Sequence, residues 1–182
     1  MSFTSSIEFS APRRNLNGGQ TVVLKDKQTK INPVMTLKRV HWISNDTNSV
    51  SLEPSEDIQL QFKEIDKMVQ LEAFALQKTW FGKNIPSEKM KSMYCPSVNG
   101  CTLKAKLSER MTIFDALKQP TVDNPVGRLV DIKLAVVGVF FKPGRFGVSY
   151  VVRQVKLLPV CSLDQYAFDD SSQDDFSDAD SN

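Results

Sequence analysis

LVDIKLAVVGVFFKPGRFGVSYVVRQVKLL, residues 129–158, is the stretch that decides the fold. Two long apolar-rich runs, 129–141 and 146–158, flank the tetrapeptide Lys142-Pro143-Gly144-Arg145. Proline fixes φ at the first central position of a turn and glycine supplies positive φ at the next, the pattern of a type II turn. A long antiparallel hairpin is therefore predicted. Because side chains alternate along a strand, Phe140 and Phe141 must point to opposite faces, and one of them lies outside the core.

Upstream of the hairpin, Leu103, Ala105 and Leu107 alternate with Lys104, Lys106 and Ser108, which reads as a strand with one apolar and one basic face; Met111, Ile113 and Leu117 follow. Residues 20–25, with Val22, Val23 and Leu24, read as a first strand, and residues 33–43 alternate over their whole length. Residues 45–49 supply loop types, and Ile58, Leu60 and Phe62 alternate in a shorter strand. The period then changes. Ile65, Met68, Val69, Ala73, Leu76 and Trp80 recur every three or four residues, so an amphipathic helix is predicted over 63–81, ended by Gly82. Pro86 opens a short second helix that Pro96 limits. The sum is a mainly β, α+β chain: an OB-like barrel of five to six strands with an inserted amphipathic helix. The lack of regular helix–strand alternation argues against a doubly wound sheet.

At 182 residues the chain has room for one well-filled domain. A hydrophobic fraction of 41% and a charged fraction of 24% are those of a soluble globular protein, and no apolar run approaches the roughly 20 residues of a membrane helix. The leader MSFTSSIEFSAPRRN lacks the basic-then-apolar order of a secretory signal, so an intracellular location is expected. The net charge of +2 conceals a partition. All 23 lysines and arginines lie in residues 1–156 against 14 of the 21 acids, leaving that part at +9, while the last 26 residues hold seven aspartates and stand at −7. The expected organisation is a basic nucleic-acid-binding domain over 1–162 and a disordered acidic tail over 163–182. A tethered polyanion competes with any other polyanion for a cationic surface, which points to nucleic acid as the ligand. Tyr166, Phe168 and Phe176, set among the tail's aspartates, resemble bases along a phosphate backbone; the alternative is that they pack onto the end of the domain.

No catalytic signature stands out. There is one histidine, no phosphate-binding loop, no nucleophile elbow, and no D-x-D outside Asp178-Ala179-Asp180. Cys95, Cys101 and Cys161 match no common zinc spacing, so no metal and no cofactor is expected. Basic residues interleaved with aromatics are abundant instead. Cations contact phosphates and aromatic faces stack exposed bases, which suits single strands, whose bases have free faces. The candidate nucleic-acid-binding residues are Lys38, Arg39, Trp42, Lys104, Lys106, Phe141, Lys142, Arg145, Phe146, Tyr150 and Arg153. Trp80, on its helix, is expected in the core, whereas Phe146 and Tyr150 stand open between core and stacking. In the tail, Asp169, Asp170, Asp174, Asp175 and Phe176 are the candidate partner contacts.

The order CTLKAKL, MTIFDA, GRLVDIKLAVVGVFF, the KPGRFG turn, SYVVRQVKLLPV and an aspartate-rich end resembles the single-stranded-DNA-binding proteins of short-tailed bacteriophages and large eukaryotic DNA viruses. It covers nearly half the chain, by pattern more than by identities. The resemblance implies an OB-fold with a helix between its strands, DNA in the groove of the sheet, and a tail that meets polymerase or helicase. It implies a role in viral DNA replication or recombination, in host cytoplasm or nucleus. Single-stranded DNA or RNA is the expected partner, without a membrane, and a homo-oligomer through exchanged tails is an open alternative. Two other readings remain: a virion or assembly protein that packages nucleic acid or holds a protein partner, and a metal nuclease in which Glu53, Asp57, Asp66 and Asp131 converge on magnesium.

Overall fold

The computed structural model describes residues 6–14 and 19–159. In chain order the elements are β1 (Ile7–Phe9), β2 (Arg13–Arg14), β3 (Gln20–Asp26), β4 (Val34–Asn45), β5 (Ser49–Glu53), α1 (Glu56–Ala75), α2 (Gln77–Phe81), α3 (Ser87–Met93), β6 (Tyr94–Cys95), β7 (Val98–Asn99), β8 (Thr102–Phe114), β9 (Pro120–Thr121), β10 (Leu129–Lys142) and β11 (Arg145–Leu157). The tail assigned to 163–182, with Asp169, Asp170, Asp174, Asp175 and Phe176, lies outside the described residues.

The predicted hairpin is β10–β11. Lys142 pairs with Arg145 across Pro143-Gly144, and Gly144 has the φ of 74° that the turn demands. Around this hairpin the sheet closes. β10 pairs with β4, β4 with β5, β5 with β8, all antiparallel, and β8 returns to β11 in parallel. The ring β4-β5-β8-β11-β10 is a five-stranded OB-like barrel, and closure leaves these strands few free edges. Register shifts in β10–β11 between Lys133 and Leu134 and between Val136 and Gly138 bend the long strands around it. The outer half of β10 carries β3 instead of β4, from Gly138 opposite Val23 to Phe141 opposite Gln20. At Gly138 a Cβ would stand 2.3 Å from the Val22 carbonyl oxygen, so glycine is what lets β3 approach.

Val22, Leu37, Val40, Trp42, Leu52, Leu103, Ile132, Leu134 and Val152 belong to the core. α1 adds Ile58, Phe62, Ile65, Val69 and Ala73, all buried. Two expectations need correction here. Ile58, Leu60 and Phe62 form no strand; they lie in the first turns of α1, with Ile58 and Phe62 buried one turn apart and Leu60 57% exposed. Ile58 and Phe62, four residues apart, satisfy a period of 2 and a period of 3.6 alike, so the short run misled. The strand in this region is β5, which takes in Ser49 from the expected loop and buries Val50 and Leu52. The helix predicted over 63–81 starts at Glu56, breaks at Leu76, and resumes as α2, which ends at Gly82 with φ 71°. Among the described residues no helix is long and apolar enough to cross a membrane.

Candidate nucleic-acid interface

Along its open edge, β11 meets β6 at Phe146 and Gly147 and β8 from Val151 onward. Between those pairings the edge at 148–150 is left open. Two adjoining depressions, of about 600 Å³ and about 250 Å³, lie there and share Lys104, Phe140, Lys142, Val148 and Tyr150. Strand alternation brings the cations together: Lys104 and Lys106 on β8 and Lys142 on β10, with Arg145 just past the turn, all exposed. Ser49, Ser97, Asn99, Thr102 and Ser149 complete a lining without a single carboxylate. None of the four cations is in an ion pair among the described residues. Lys142 Nζ sits 5.7 Å from the centroid of the half-buried Phe140 ring, a cation–π arrangement that leaves the ring within the groove.

Beneath the groove runs a buried polar chain. The Asp66 carboxylate, 7% exposed on α1, accepts hydrogen bonds from the Tyr94 hydroxyl at 2.6 Å, the Ser97 amide at 2.9 Å and the Ser97 hydroxyl. Ser97 Oγ in turn lies 2.6 Å from the Tyr150 hydroxyl. Burial pushes the Tyr94 phenol well above its ordinary range, and the adjacent Asp66 charge adds to this. Burial likewise raises Tyr150, against a smaller opposing effect of its Ser97 hydrogen bond. Both phenols stay protonated at neutral pH, and the hydrogen bonds of this chain fix Ser97 and the adjoining β7 against the barrel.

Of the predicted residues, Lys104, Lys106, Lys142 and Arg145 come together in the groove. Tyr150 lines it with its edge only, being 2% exposed and packed edge-on against Phe62 at 5.2 Å. Trp42 and Phe146 are fully buried and present no face to a base. Phe141 joins an aromatic cluster with Trp80, Phe81 and Phe146 at centroid distances of 5.4–6.0 Å. The turn itself is exposed, but the rings flanking it, Phe141 and Phe146, are covered by Trp80 and Phe81 of α2 and by Tyr94 of β6, a cover that the hairpin's own length and turn do not reveal. Lys38 and Arg39 line neither depression; they occupy a bulge of β4 opposite Asp131, whose carboxylate accepts the Arg39 amide at 3.0 Å and holds that residue at φ 53°. Arg153 is exposed at the β11 bulge, also outside the groove. The aromatic that faces the groove is Phe140, and its parity with Lys142 was the available signal. Among the described residues no three His, Cys, Asp or Glu side chains are grouped to hold a metal: Asp66 and Asp131 are engaged as above, and Glu53 lies 3.6 Å from His41.

Residues 39–171 match the model of a family of unknown function (DUF5871). No curated protein matches the chain. Among solved structures, the chain is similar to the single-stranded DNA-binding protein of bacteriophage Enc34 in complex with single-stranded DNA, at 14% identity, over 83% of this chain and 96% of that one, with a TM-score of 0.43. A second structure of that phage protein gives 14% identity, 82% and 89% coverage and a TM-score of 0.43; its C-terminal truncation gives 13%, 84%, 96% and 0.39.

Proposed function

The chain belongs to the DUF5871 family of unknown function, and from the geometry of its own barrel we propose that it binds single-stranded nucleic acid, DNA foremost, without sequence preference and without catalysis. One observation carries this: a groove with four cations that are unpaired among the described residues, no carboxylate in its lining, and the half-buried ring of Phe140 beneath Lys142. Cations spaced along β8 and the hairpin tip suit the phosphates of one backbone, and such contacts carry no sequence information. Phe140 offers a π-face, which any base can cover and which a paired, stacked duplex base cannot reach. The polar lining from Ser49, Asn99, Thr102 and Ser149 supplies donors and acceptors to sugars and base edges. The strand-protecting role in replication or recombination follows from this mode of binding.

The test is a titration of the full chain with fluorescent oligothymidine and with a duplex of equal length. Tighter binding of the single strand, weakened by Lys104→Ala and by Lys142→Ala, is the expected result. A duplex bound as tightly, or single-strand binding indifferent to both substitutions, overturns the assignment.

A further inference from the structure

Further along the same strands, where β4, β8, β10 and β11 meet near the end of β11, lies a separate depression of about 340 Å³ that shares no residue with the groove. The partly buried ring of Phe114 lines it, and Lys118, Lys133 and Lys156 stand around it. No carboxylate pairs with these lysines among the described residues; Lys133 Nζ donates to Thr36 Oγ1 at 2.7 Å. The one acid in the lining, Asp131, is held by the Arg39 amide. An aromatic surface ringed by cations fits an aromatic side chain carried between carboxylates.

The chain itself provides one nearby. β11 ends at Leu157, and the Leu158 amide donates to the Leu129 carbonyl at 3.3 Å, so the described chain ends close to this depression, whose lining includes Lys156. Residues 160–182 contain seven aspartates, no lysine or arginine, and Tyr166, Phe168 and Phe176. Arg145, at the far tip of the groove, is the other end of the 13-residue β11, about 40 Å away at ~3.3 Å per residue. Tyr166 lies nine positions beyond Leu157, within about 30 Å even if fully extended. It reaches the adjacent Lys156 and Phe114 with slack, whereas the groove's near end, where Lys106 pairs with Val151, lies six residues back along β11, about 20 Å away, and is reached only by a chain extended back along that strand.

We propose that the segment from Asp164 to Asp170 of the same chain docks in this depression, with Tyr166 or Phe168 against Phe114 and its aspartates against Lys118, Lys133 and Lys156. This places the acidic segment beside the end of β11 and leaves the groove at 148–150 open. It stands whether or not that groove takes nucleic acid.

Carbodiimide coupling of the full chain, which joins a carboxylate to a lysine in contact with it, reads the arrangement directly by peptide mapping. Coupling of Asp164, Asp169 or Asp170 to Lys118, Lys133 or Lys156 within one copy is expected, with a yield unchanged by added oligothymidine. The double substitution Tyr166→Ser, Phe168→Ser should lower that yield several-fold. Coupling to Lys104 or Lys142, coupling between copies, or no coupling overturns the proposal. So does a yield indifferent to the double substitution, since tethering alone would then account for it.

Discussion

Phe140 and Phe141 are adjacent on β10 and serve different ends. Phe141 packs among Trp80, Phe81 and Phe146, whereas Phe140 lines the groove under Lys142. Phe140→Ala should therefore weaken oligothymidine binding by roughly 1–3 kcal/mol with little change in melting temperature. Phe146→Ala removes a fully buried ring and should cost about 3–5 kcal/mol of stability, seen as a large drop in the thermal midpoint. Reversal of these two effects would exchange their assigned roles. Lys142→Ala and Arg145→Ala should each reduce the slope of log affinity against log salt by about 0.7 while the fold melts unchanged. The two buried tyrosines give a pH signature. Tyr94 and Tyr150 are held protonated in the fold, while in the unfolded chain they ionise near the ordinary value of 10.0. Their folded pKa is raised, so their contribution is complete below pH 10 and is lost as pH rises past it. Melts across pH 8–11 should show the midpoint falling above about pH 10, and less steeply in Tyr94→Phe; a flat profile would contradict the buried phenols. At this scale, strand parity shows that Phe140 and Phe141 part company. It does not say which of them is covered, because the cover comes from α2 and β6, distant in sequence.

β10 and β11 were legible as elements because their length and the Pro143-Gly144 turn agree, and local and global preference coincide there. The start of α1 was not, since Ile58 and Phe62 satisfy both periods over so short a run. Gly138 is the element-scale feature that composition hides. Within an apolar run it reads as a weak strand position, yet it admits β3, and with it the β1–β3 pairing, to the barrel. Gly138→Ala would push a Cβ against the Val22 backbone and should destabilise the fold by roughly 1–3 kcal/mol, measured by denaturant titration. An unchanged midpoint would mean that β3 is not held as described.

The whole molecule sets a basic body of +9 against seven aspartates. That partition is plain in the sequence, and so is the class of ligand it favours. The groove is not, because it depends on the parallel pairing of β8 with β11 and on the edge left open at 148–150, contacts set by closure of the barrel. Only there do Lys104 and Lys106 meet Lys142 and Arg145. Removing residues 164–182 takes seven negative charges from the molecule and should tighten single-strand binding at low salt, the difference vanishing as screening shortens toward ~8–10 Å and below. The measurement that tests the central claim most directly is the salt dependence of oligothymidine binding by the full chain beside a duplex of equal length. Four phosphate contacts predict a log–log slope of about −3 for the single strand, and tighter binding of it than of the duplex at every salt concentration. A slope near zero, or a duplex bound as tightly as the single strand, would contradict the account.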